Sequence, residues 1–130
     1  ANQGEVWAKL DAGTDEYYQR VDRTNFPFRK VLDNILACGQ ARPIVIQSLF
    51  MQVHSQPVSE EEFDAYLARL AELIRKGCQI KLVQLYTTAR WTAERYVQPL
   101  TDQQMDRLME RFRARLPGVP SEIYYGAAAS

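Results

Sequence analysis

The side chains best suited to chemistry lie near the ends of three short apolar segments. Lys9 and Asp11 end the first segment, and because alternate strand residues share a face, they can form an ion pair or orient a ligand amine or carboxylate. Gln47 and Gln84 occupy equivalent positions in the second and third segments. Since an amide both donates and accepts hydrogen bonds, each glutamine can bind a polar ligand or satisfy the other.

Further candidates follow these segments. Tyr86 ends the third segment and could line a pocket, although aromatic side chains at strand ends also serve packing. Arg90 lies in the next loop, where its guanidinium could bind a carboxylate or phosphate, and Glu94 could pair with it. His54 is the only histidine and could act as an acid or base, but no neighbour in sequence orients it, and a solvated loop histidine is the alternative.

The sequence offers no complete set of metal ligands. Its two cysteines, Cys38 and Cys78, are far apart in the chain, and with one histidine they cannot supply a four-ligand zinc or iron–sulfur site. Each lies near the end of a predicted helix, and both are expected to be buried thiols, since a cytosolic compartment argues against a disulfide. We therefore expect this chain alone to bind no metal.

Composition argues for one folded domain. The 130 residues, 46% of them hydrophobic, suffice for one core, so residues 1–126 are expected to form a single domain and residues 127–130 a disordered tail. The 16 basic and 16 acidic residues cancel, which argues against nucleic acid as a partner. With no apolar run long enough for a membrane span and no signal peptide, a cytoplasmic location is expected.

Hydrophobic patterning predicts that the three segments are strands of a parallel α/β sheet. They cover residues 6–11, 43–50 and 80–87, each is followed by a helical pattern, and they repeat at a spacing of roughly 37 residues. Crossovers of this length give parallel strands with right-handed connections. With a fourth short strand near residues 123–125, we predict a partial (β/α) barrel of three to four strands and three main helices. Its open sheet edges would need a partner or a second copy of the chain.

Local signals predict where the helices begin and end. Ser59 with Glu62, and Thr101 with Gln104, have the spacing of capping boxes. The other predicted boundaries are a short helical turn capped by Thr14 or Asp15, a helix start at Asn25 before Pro27, helix ends at Gly39 and Gly77, and a stop at Pro117 and Gly118.

Three groups of residues together point to a family. They are Val6-Trp7-Ala8-Lys9-Leu10-Asp11-Ala12 followed by Val21-Asp22-Arg23, then Ile46-Gln47-Ser48-Leu49-Phe50-Met51, then Val83-Gln84-Leu85-Tyr86-Thr87-Thr88-Ala89-Arg90 with Ala93-Glu94. In order and spacing they resemble the C-terminal half of the radical S-adenosylmethionine (radical SAM) iron–sulfur oxidoreductases. The resemblance covers residues 5–116 and rests on all three groups, because each alone is weak.

This resemblance implies a partial (β/α)6 barrel in which S-adenosylmethionine is cleaved reductively at a [4Fe-4S] cluster. The resulting 5′-deoxyadenosyl radical abstracts a hydrogen atom from the substrate. The three segments would be strands four, five and six of that barrel. Lys9 and Asp11 would face the cosubstrate, while Gln47, Gln84, Tyr86 and Arg90 would line the substrate side.

The sequence departs from the family in the part that binds the cluster. The C-x3-C-x2-C motif and the glycine-rich segment that contacts the methionine moiety are both absent. We therefore expect the cluster-binding half to precede this chain in cis, as the initial Ala1 would allow, and we expect no turnover from this chain alone. The substrate, a small molecule or a peptide, is not specified by the sequence.

Two other functions are compatible with the same residues. One is a non-catalytic half-barrel that self-associates or pairs with a partner through its open edges. The other is an aldolase-like half-barrel in which Lys9 forms a Schiff base, although the neighbouring Asp11 would tend to keep the amine charged.

Overall fold

The computed structural model describes residues 6–22, 26–53, 56–87 and 97–125, and confirms the predicted α/β class. Within these ranges the chain forms six strands and four helices. In chain order they are β1 (Val6–Lys9), α1 (Asp15–Asp22), α2 (Phe28–Ala41), β2 (Ile44–Leu49), β3 (Met51–Val53), α3 (Glu60–Arg75), β4 (Ile80–Tyr86), β5 (Val97–Pro99), α4 (Asp102–Arg115) and β6 (Ser121–Tyr124).

The main sheet contains β1, β2, β4 and β6, side by side in that order, and every neighbouring pair is parallel. Each helical crossover therefore moves the chain one strand further in the same direction. A doubly wound sheet would instead reverse its strand order and carry helices on both faces. The sequential order is that of an arc of a (β/α) barrel. It confirms the three predicted strands and the fourth short strand.

All four helices pack against one face of this sheet. Their apolar side chains join those of alternate strand residues in a single buried cluster. The strand residues in or against this cluster are Val6, Ala8, Leu10, Ile44, Ile46, Phe50, Ile80, Val83, Leu85 and Ile123. At about 1.5–3 kcal/mol for each fully buried side chain, this cluster dominates the stabilisation of the fold.

The opposite face, called the open face below, carries the other strand residues. By the two-residue alternation of strands these are Trp7, Lys9, Val45, Gln47, Leu49, Leu82, Gln84, Tyr86, Glu122 and Tyr124. In a (β/α) barrel the helices lie outside and the other face lines the interior. The open face is thus the surface that such a barrel would enclose.

The caps of α3 and α4 differ although their sequence signals are alike. At α4 the predicted capping box is complete, with Thr101 accepting from the Gln104 amide at 3.1 Å and Gln104 accepting from the Thr101 amide at 2.8 Å. At α3, Ser59 accepts from the Glu62 amide at 3.0 Å, but the Glu62 carboxylate bonds to a distant loop instead. Only half of the capping box predicted at Ser59 and Glu62 is therefore present.

One predicted boundary of α2 is wrong, and the other falls on a residue outside the described ranges. The helix continues past Gly39 to Ala41, and Gly39 is buried within it. An added Cβ at Gly39 would lie 2.1 Å from the Cys78 sulfur, so the glycine serves close packing rather than termination. At the other end α2 begins at Phe28 with Pro27 at its N-cap, while the predicted start, Asn25, lies outside the described residues.

Other predicted features have mixed outcomes. Gly77 follows the end of α3 with a φ of 98°, as expected for a helix-terminating glycine. The predicted short turn after Thr14 is an eight-residue helix, and the Thr14 hydroxyl accepts from the Tyr17 amide at 3.2 Å. Cys78 is buried as predicted, but Cys38 is exposed, because it lies on the outer side of α2.

A second, two-stranded sheet is present that the sequence does not predict. The strands β3 and β5 pair antiparallel, with Gln52 opposite Gln98. The Gln52 side chain also donates to the Pro99 carbonyl at 2.9 Å, and the Leu100 amide donates to the Thr87 hydroxyl at 2.8 Å. These contacts join the chain beyond β2 to the chain beyond β4 at the carboxyl end of the main sheet.

Candidate functional site

A cavity of about 360 Å³ lies at the carboxyl ends of β1, β2 and β4. Four of the predicted site residues line it: Lys9, Asp11, Gln47 and Tyr86. Parallel strands bring these residues to one end of the sheet although they come from distant parts of the chain. The structure therefore brings residues of all three predicted segments to one cavity, whose accessible lining is mainly apolar.

The Lys9 and Asp11 side chains form the predicted ion pair, with Nζ 3.3 Å from Oδ2. The other carboxylate oxygen of Asp11 accepts from the Leu49 amide at 2.7 Å, which ties the end of β1 to β2. The Asp11 side chain is only 3% exposed, whereas that of Lys9 is 67% exposed. Asp11 thus has a structural role in holding two strands, and the Lys9 ammonium stays accessible to a ligand.

Gln47 and Gln84 satisfy each other across the sheet, as one of the two sequence interpretations expects. They are register partners in β2 and β4, and Gln47 Nε2 donates to Gln84 Oε1 at 3.3 Å. The Tyr86 hydroxyl completes a triangle, since it donates to Gln84 Oε1 at 3.1 Å and accepts from Gln47 Nε2 at 3.2 Å. Three of the four predicted substrate-side residues, Gln47, Gln84 and Tyr86, are therefore a hydrogen-bonded group rather than separate side chains.

Two residues of β6 extend this group and were missed by sequence reasoning. Glu122 Oε1 accepts from Gln84 Nε2 at 2.9 Å and from the Tyr124 hydroxyl at 2.6 Å. The rings of Tyr86 and Tyr124 stack with centroids 4.8 Å apart and an interplanar angle of 15°. The alternation Ser121, Glu122, Ile123, Tyr124 is the signal that could have revealed them.

The hydrogen bonds of β6 also set the charge on Glu122. The Tyr124 hydroxyl and, to a smaller extent, the Gln84 amide donate to its carboxylate and hold the pKa of Glu122 below its usual value. The same hydrogen bond raises the pKa of Tyr124, because the phenol is needed as a donor. Glu122 is therefore a fixed anion at the outer end of the network.

A buried carboxylate on α3 positions the loop after β1. Glu62 accepts from the Gly13 amide at 2.5 Å, from the Thr14 amide at 3.0 Å and from the Thr14 hydroxyl at 2.7 Å. Gly13 lies so close to α3 that an added Cβ would be 2.1 Å from the Tyr66 backbone nitrogen. These contacts fix the chain immediately after Asp11, and so they fix one wall of the cavity.

A buried hydroxyl pair lies behind the cavity on the helical side of β2. The Ser48 and Tyr66 hydroxyl oxygens are 2.7 Å apart, and both side chains are buried. Burial raises the pKa of Tyr66, and the nearby Asp11 carboxylate raises it further. Tyr66 is therefore a neutral structural phenol that joins α3 to β2.

Several predicted residues lie outside the described part of the chain, namely Arg90, Glu94 and His54. Their predicted roles stay predictions. In the described ranges, no three or more histidine, cysteine, aspartate or glutamate side chains come together in a way that could hold a metal ion. Among the described helices, none is both long and apolar enough to cross a membrane.

Comparison with known proteins adds no family assignment. The sequence matches no protein-family model, and a search of curated proteins gives no match either. The functional argument therefore rests on the fold, the cavity and the side chains that line it.

Proposed function

We propose that this chain forms the substrate side of a radical SAM oxidoreductase, and that it completes its site together with a cluster-binding half in cis. The observation that supports this proposal is the cavity at the carboxyl ends of the parallel strands, which Lys9, Gln47 and Tyr86 line. In (β/α) barrels, active sites collect at this end of the strands. The resemblance of the three sequence segments to the C-terminal half of that family supplies the chemistry.

The open face has the character of a barrel interior. Its central strands carry Gln47, Gln84 and Tyr86, whose polar groups are joined by hydrogen bonds. Such a network is suited to a ligand-binding wall, because each group has a fixed direction before the ligand arrives. The apolar face of the same sheet is covered by helices, so within the described ranges a ligand of this sheet would meet the open face.

The cysteines of this chain do not fit an iron–sulfur cluster at this cavity. Thiolates are the usual ligands of such clusters. Cys38 lies in the last turns of α2 and Cys78 just before β4, so both are at the amino ends of the strands, opposite the cavity. The Cys78 thiol donates instead to the Ile35 carbonyl at 3.7 Å. The ligands of a cluster would have to come from the half in cis.

The cavity residues do fit the polar groups of S-adenosylmethionine. Lys9 offers an exposed ammonium and Gln47 an amide, which suit a ligand that carries a carboxylate and hydroxyl groups, while the buried Asp11 holds Lys9 in position. The resemblance assigns S-adenosylmethionine the role of radical source. In this proposal Lys9 binds the cosubstrate with Asp11 orienting it, and the glutamines and Tyr86 hold the substrate.

Binding of S-adenosylhomocysteine, a stable analogue of the cosubstrate, tests this proposal. We expect it to shift the backbone amide NMR signals of residues 9–11 and 47–49, and we expect Lys9→Ala to weaken binding. Lys30→Ala on the exposed side of α2 is the matched control and should leave binding unchanged. Shifts confined to other parts of the chain, or equal affinity in Lys9→Ala, would contradict the proposal.

A second function is favoured by the sheet edges. Among the strands that the structure describes, β1 and β6 each have one neighbour in the main sheet. Open-face aromatic side chains lie at both edges, with Trp7 48% and Tyr124 40% exposed. A half-barrel that associates through these edges would cover them. Light scattering at increasing concentration distinguishes this alternative, because a chain that stays monomeric throughout would contradict it.

A further inference from the structure

We propose that a cavity between α3 and α4 binds a small zwitterionic amino acid with an apolar side chain. This cavity, called the helical cavity below, has a volume of about 240 Å³ and lies where the two helices begin. Its described lining residues all differ from those of the cavity at the ends of β1, β2 and β4. Binding in the helical cavity would therefore be independent of the proposed function.

One face of α4 supplies half of the described lining. The four residues recur at helical spacing, and they are Gln104, Arg107, Leu108 and Arg111. The start of α3 and the segment before it supply Pro57, Val58 and Glu60, and Leu100 precedes α4. The helical cavity is thus built by the packing of two helices that both begin near the carboxyl end of the sheet.

The most deeply placed part of this lining is apolar. Val58, Leu100 and Leu108 are all buried in the structure. Apolar side chains of this kind form most of the surface of small-molecule sites. A volume of about 240 Å³ is below the roughly 300–1,000 Å³ typical of pockets for drug-sized ligands, so the occupant must be small.

The rim of the helical cavity carries charges of both signs. Glu60 Oε1 lies 3.5 Å from Arg111 Nη1, and Glu60 Oε2 lies 3.4 Å from Arg107 Nη2. Arg111 also donates to the Asp64 carboxylate and to the Glu60 carbonyl, and its guanidinium carbon is 6.0 Å from the Phe63 ring centroid. Arg111 is therefore a fixed part of the wall.

The contact between Arg107 and Glu60, in contrast, can open. The side chains of Arg107 and Glu60 are 72% and 69% exposed. Exposed ion pairs contribute little to stability, because water screens the charges and both side chains lose freedom when they pair. A ligand carboxylate can therefore take the place of Glu60 at the Arg107 guanidinium. A ligand ammonium can then bind the Glu60 oxygen that faced Arg107.

Charge balance at the rim favours a ligand that carries both charges. The described charged groups there, Glu60, Asp64, Arg107 and Arg111, sum to zero. A ligand with one charge would leave either Arg107 or Glu60 without a partner, whereas a zwitterion satisfies both. An α-amino acid carries its ammonium and carboxylate on the carbon that bears the side chain. It therefore matches an ion pair at the edge of an apolar cavity.

Four probes test which ligand groups are recognised. L-Leucine has both charges and an apolar side chain, L-leucinamide has only the ammonium, N-acetyl-L-leucine has only the carboxylate, and glycine has both charges without an apolar side chain. Each probe is titrated into the full chain while the backbone amide NMR signals of residues 58–60 and 100–108 are followed. We expect L-leucine to bind tightest and each of the others to bind about tenfold more weakly, since each lacks one interaction.

Variants at the rim test the role of each charge. Arg107→Gln should weaken L-leucine binding about tenfold and lower its preference over L-leucinamide towards one, while its preference over N-acetyl-L-leucine persists. Glu60→Gln should have the reverse effect on the two preferences. A merely structural role of either residue would change the melting temperature without separating the two preferences in this way.

Two matched controls keep these results specific. Arg115→Gln on α4 and Glu61→Gln on α3 remove the same charges from exposed positions that do not line the helical cavity. Both variants should bind the four probes as the unchanged chain does. A control variant that lost binding as strongly as its rim counterpart would overturn the assigned contacts.

The outcomes separate this site from the one in the proposed function. Equal binding of L-leucine, L-leucinamide and N-acetyl-L-leucine would overturn the selection of a zwitterion. L-Leucine shifts at residues 9–11 and 47–49 in place of residues 58–60 and 100–108 would overturn the location in the helical cavity, as would a lack of any shift. S-Adenosylhomocysteine is tested at residues 9–11 and 47–49 in the same chain, so either site can fail while the other is retained.

Discussion

The anchoring of the β1–α1 loop by Glu62 gives the sharpest prediction about the fold around the site. In Glu62→Ala the amides of Gly13 and Thr14 lose the carboxylate that accepts from them at 2.5 and 3.0 Å. Gly13 cannot move closer to another acceptor on α3, because its backbone already packs against that of Tyr66. The substitution therefore leaves donors of the loop without a protein partner.

The magnitude follows from the number of donors affected. A buried donor left without a partner costs about 1–3 kcal/mol. The Gly13 hydrogen bond is buried and that of Thr14 is partly buried, so we expect a loss of about 2–4 kcal/mol in the free energy of unfolding. The Ser59 cap should persist, because it uses the backbone amide of residue 62.

Equilibrium urea unfolding measures this loss, with Glu61→Ala as the matched control. Both glutamates lie in the first turn of α3 and interact alike with the helix dipole, but Glu61 is exposed. The difference between the two variants therefore isolates the loop contact. Free energies of unfolding that agree to within about 0.5 kcal/mol for the two variants, at unchanged urea dependence, would refute the reasoning.

Three further predictions concern packing, charge and thiol chemistry. Gly39→Ala should lower the free energy of unfolding by about 1–3 kcal/mol in urea titrations, because its Cβ would overlap the Cys78 sulfur. The pKa of Glu122 is lowered, so its contribution to stability should be present above the unfolded-state pKa and lost only as the pH falls through the folded-state value, as carboxyl NMR titration can follow. Cys38 should react with iodoacetamide in the folded chain, whereas burial raises the pKa of Cys78 and should delay its alkylation until unfolding.

Each of these three predictions has a result that would contradict it. Gly118 has open space around its Cα, so a Gly39→Ala variant no less stable than Gly118→Ala would exclude the clash. A carboxyl titration of Glu122 at or above the ordinary glutamate value would exclude its hydrogen bonds in solution. Equal alkylation rates for the two cysteines, measured by mass spectrometry of the native chain, would contradict the difference in burial.

Sequence reasoning succeeded where the signal is local. The capping box of Thr101 and Gln104 depends on residues three apart, and it is present as predicted. The continuous β-branched run in β2 is typical of a strand buried within a sheet, and the structure confirms it. Sequence reasoning failed for β3 and β5. Three-residue strands carry no periodicity, and these two pair across more than 40 residues of chain.

In the candidate site, too, the contacts with a local sequence signal could be predicted and the others could not. The pairing of Lys9 with Asp11 follows from the alternation of one strand, and that of Gln47 with Gln84 from equivalent positions in two repeats. The alternation around Glu122 indicates a strand but does not name its partner, because its contact with Gln84 exists only where β6 lies beside β4. The sequence could name four residues of the site but not Glu122. That carboxylate determines how Gln47 and Gln84 are oriented.

Taken alone, the sequence determined the α/β class, the parallel strands and the set of polar residues at their carboxyl ends, because two- and 3.6-residue periodicities and loop lengths are encoded locally. Only the tertiary structure decided that all helices cover one face, that Glu62 bonds to Gly13 rather than to its own cap, and that Glu122 orients the amide network. These features depend on which distant segments meet, and hydrogen-bond partners are settled by that proximity rather than by residue type.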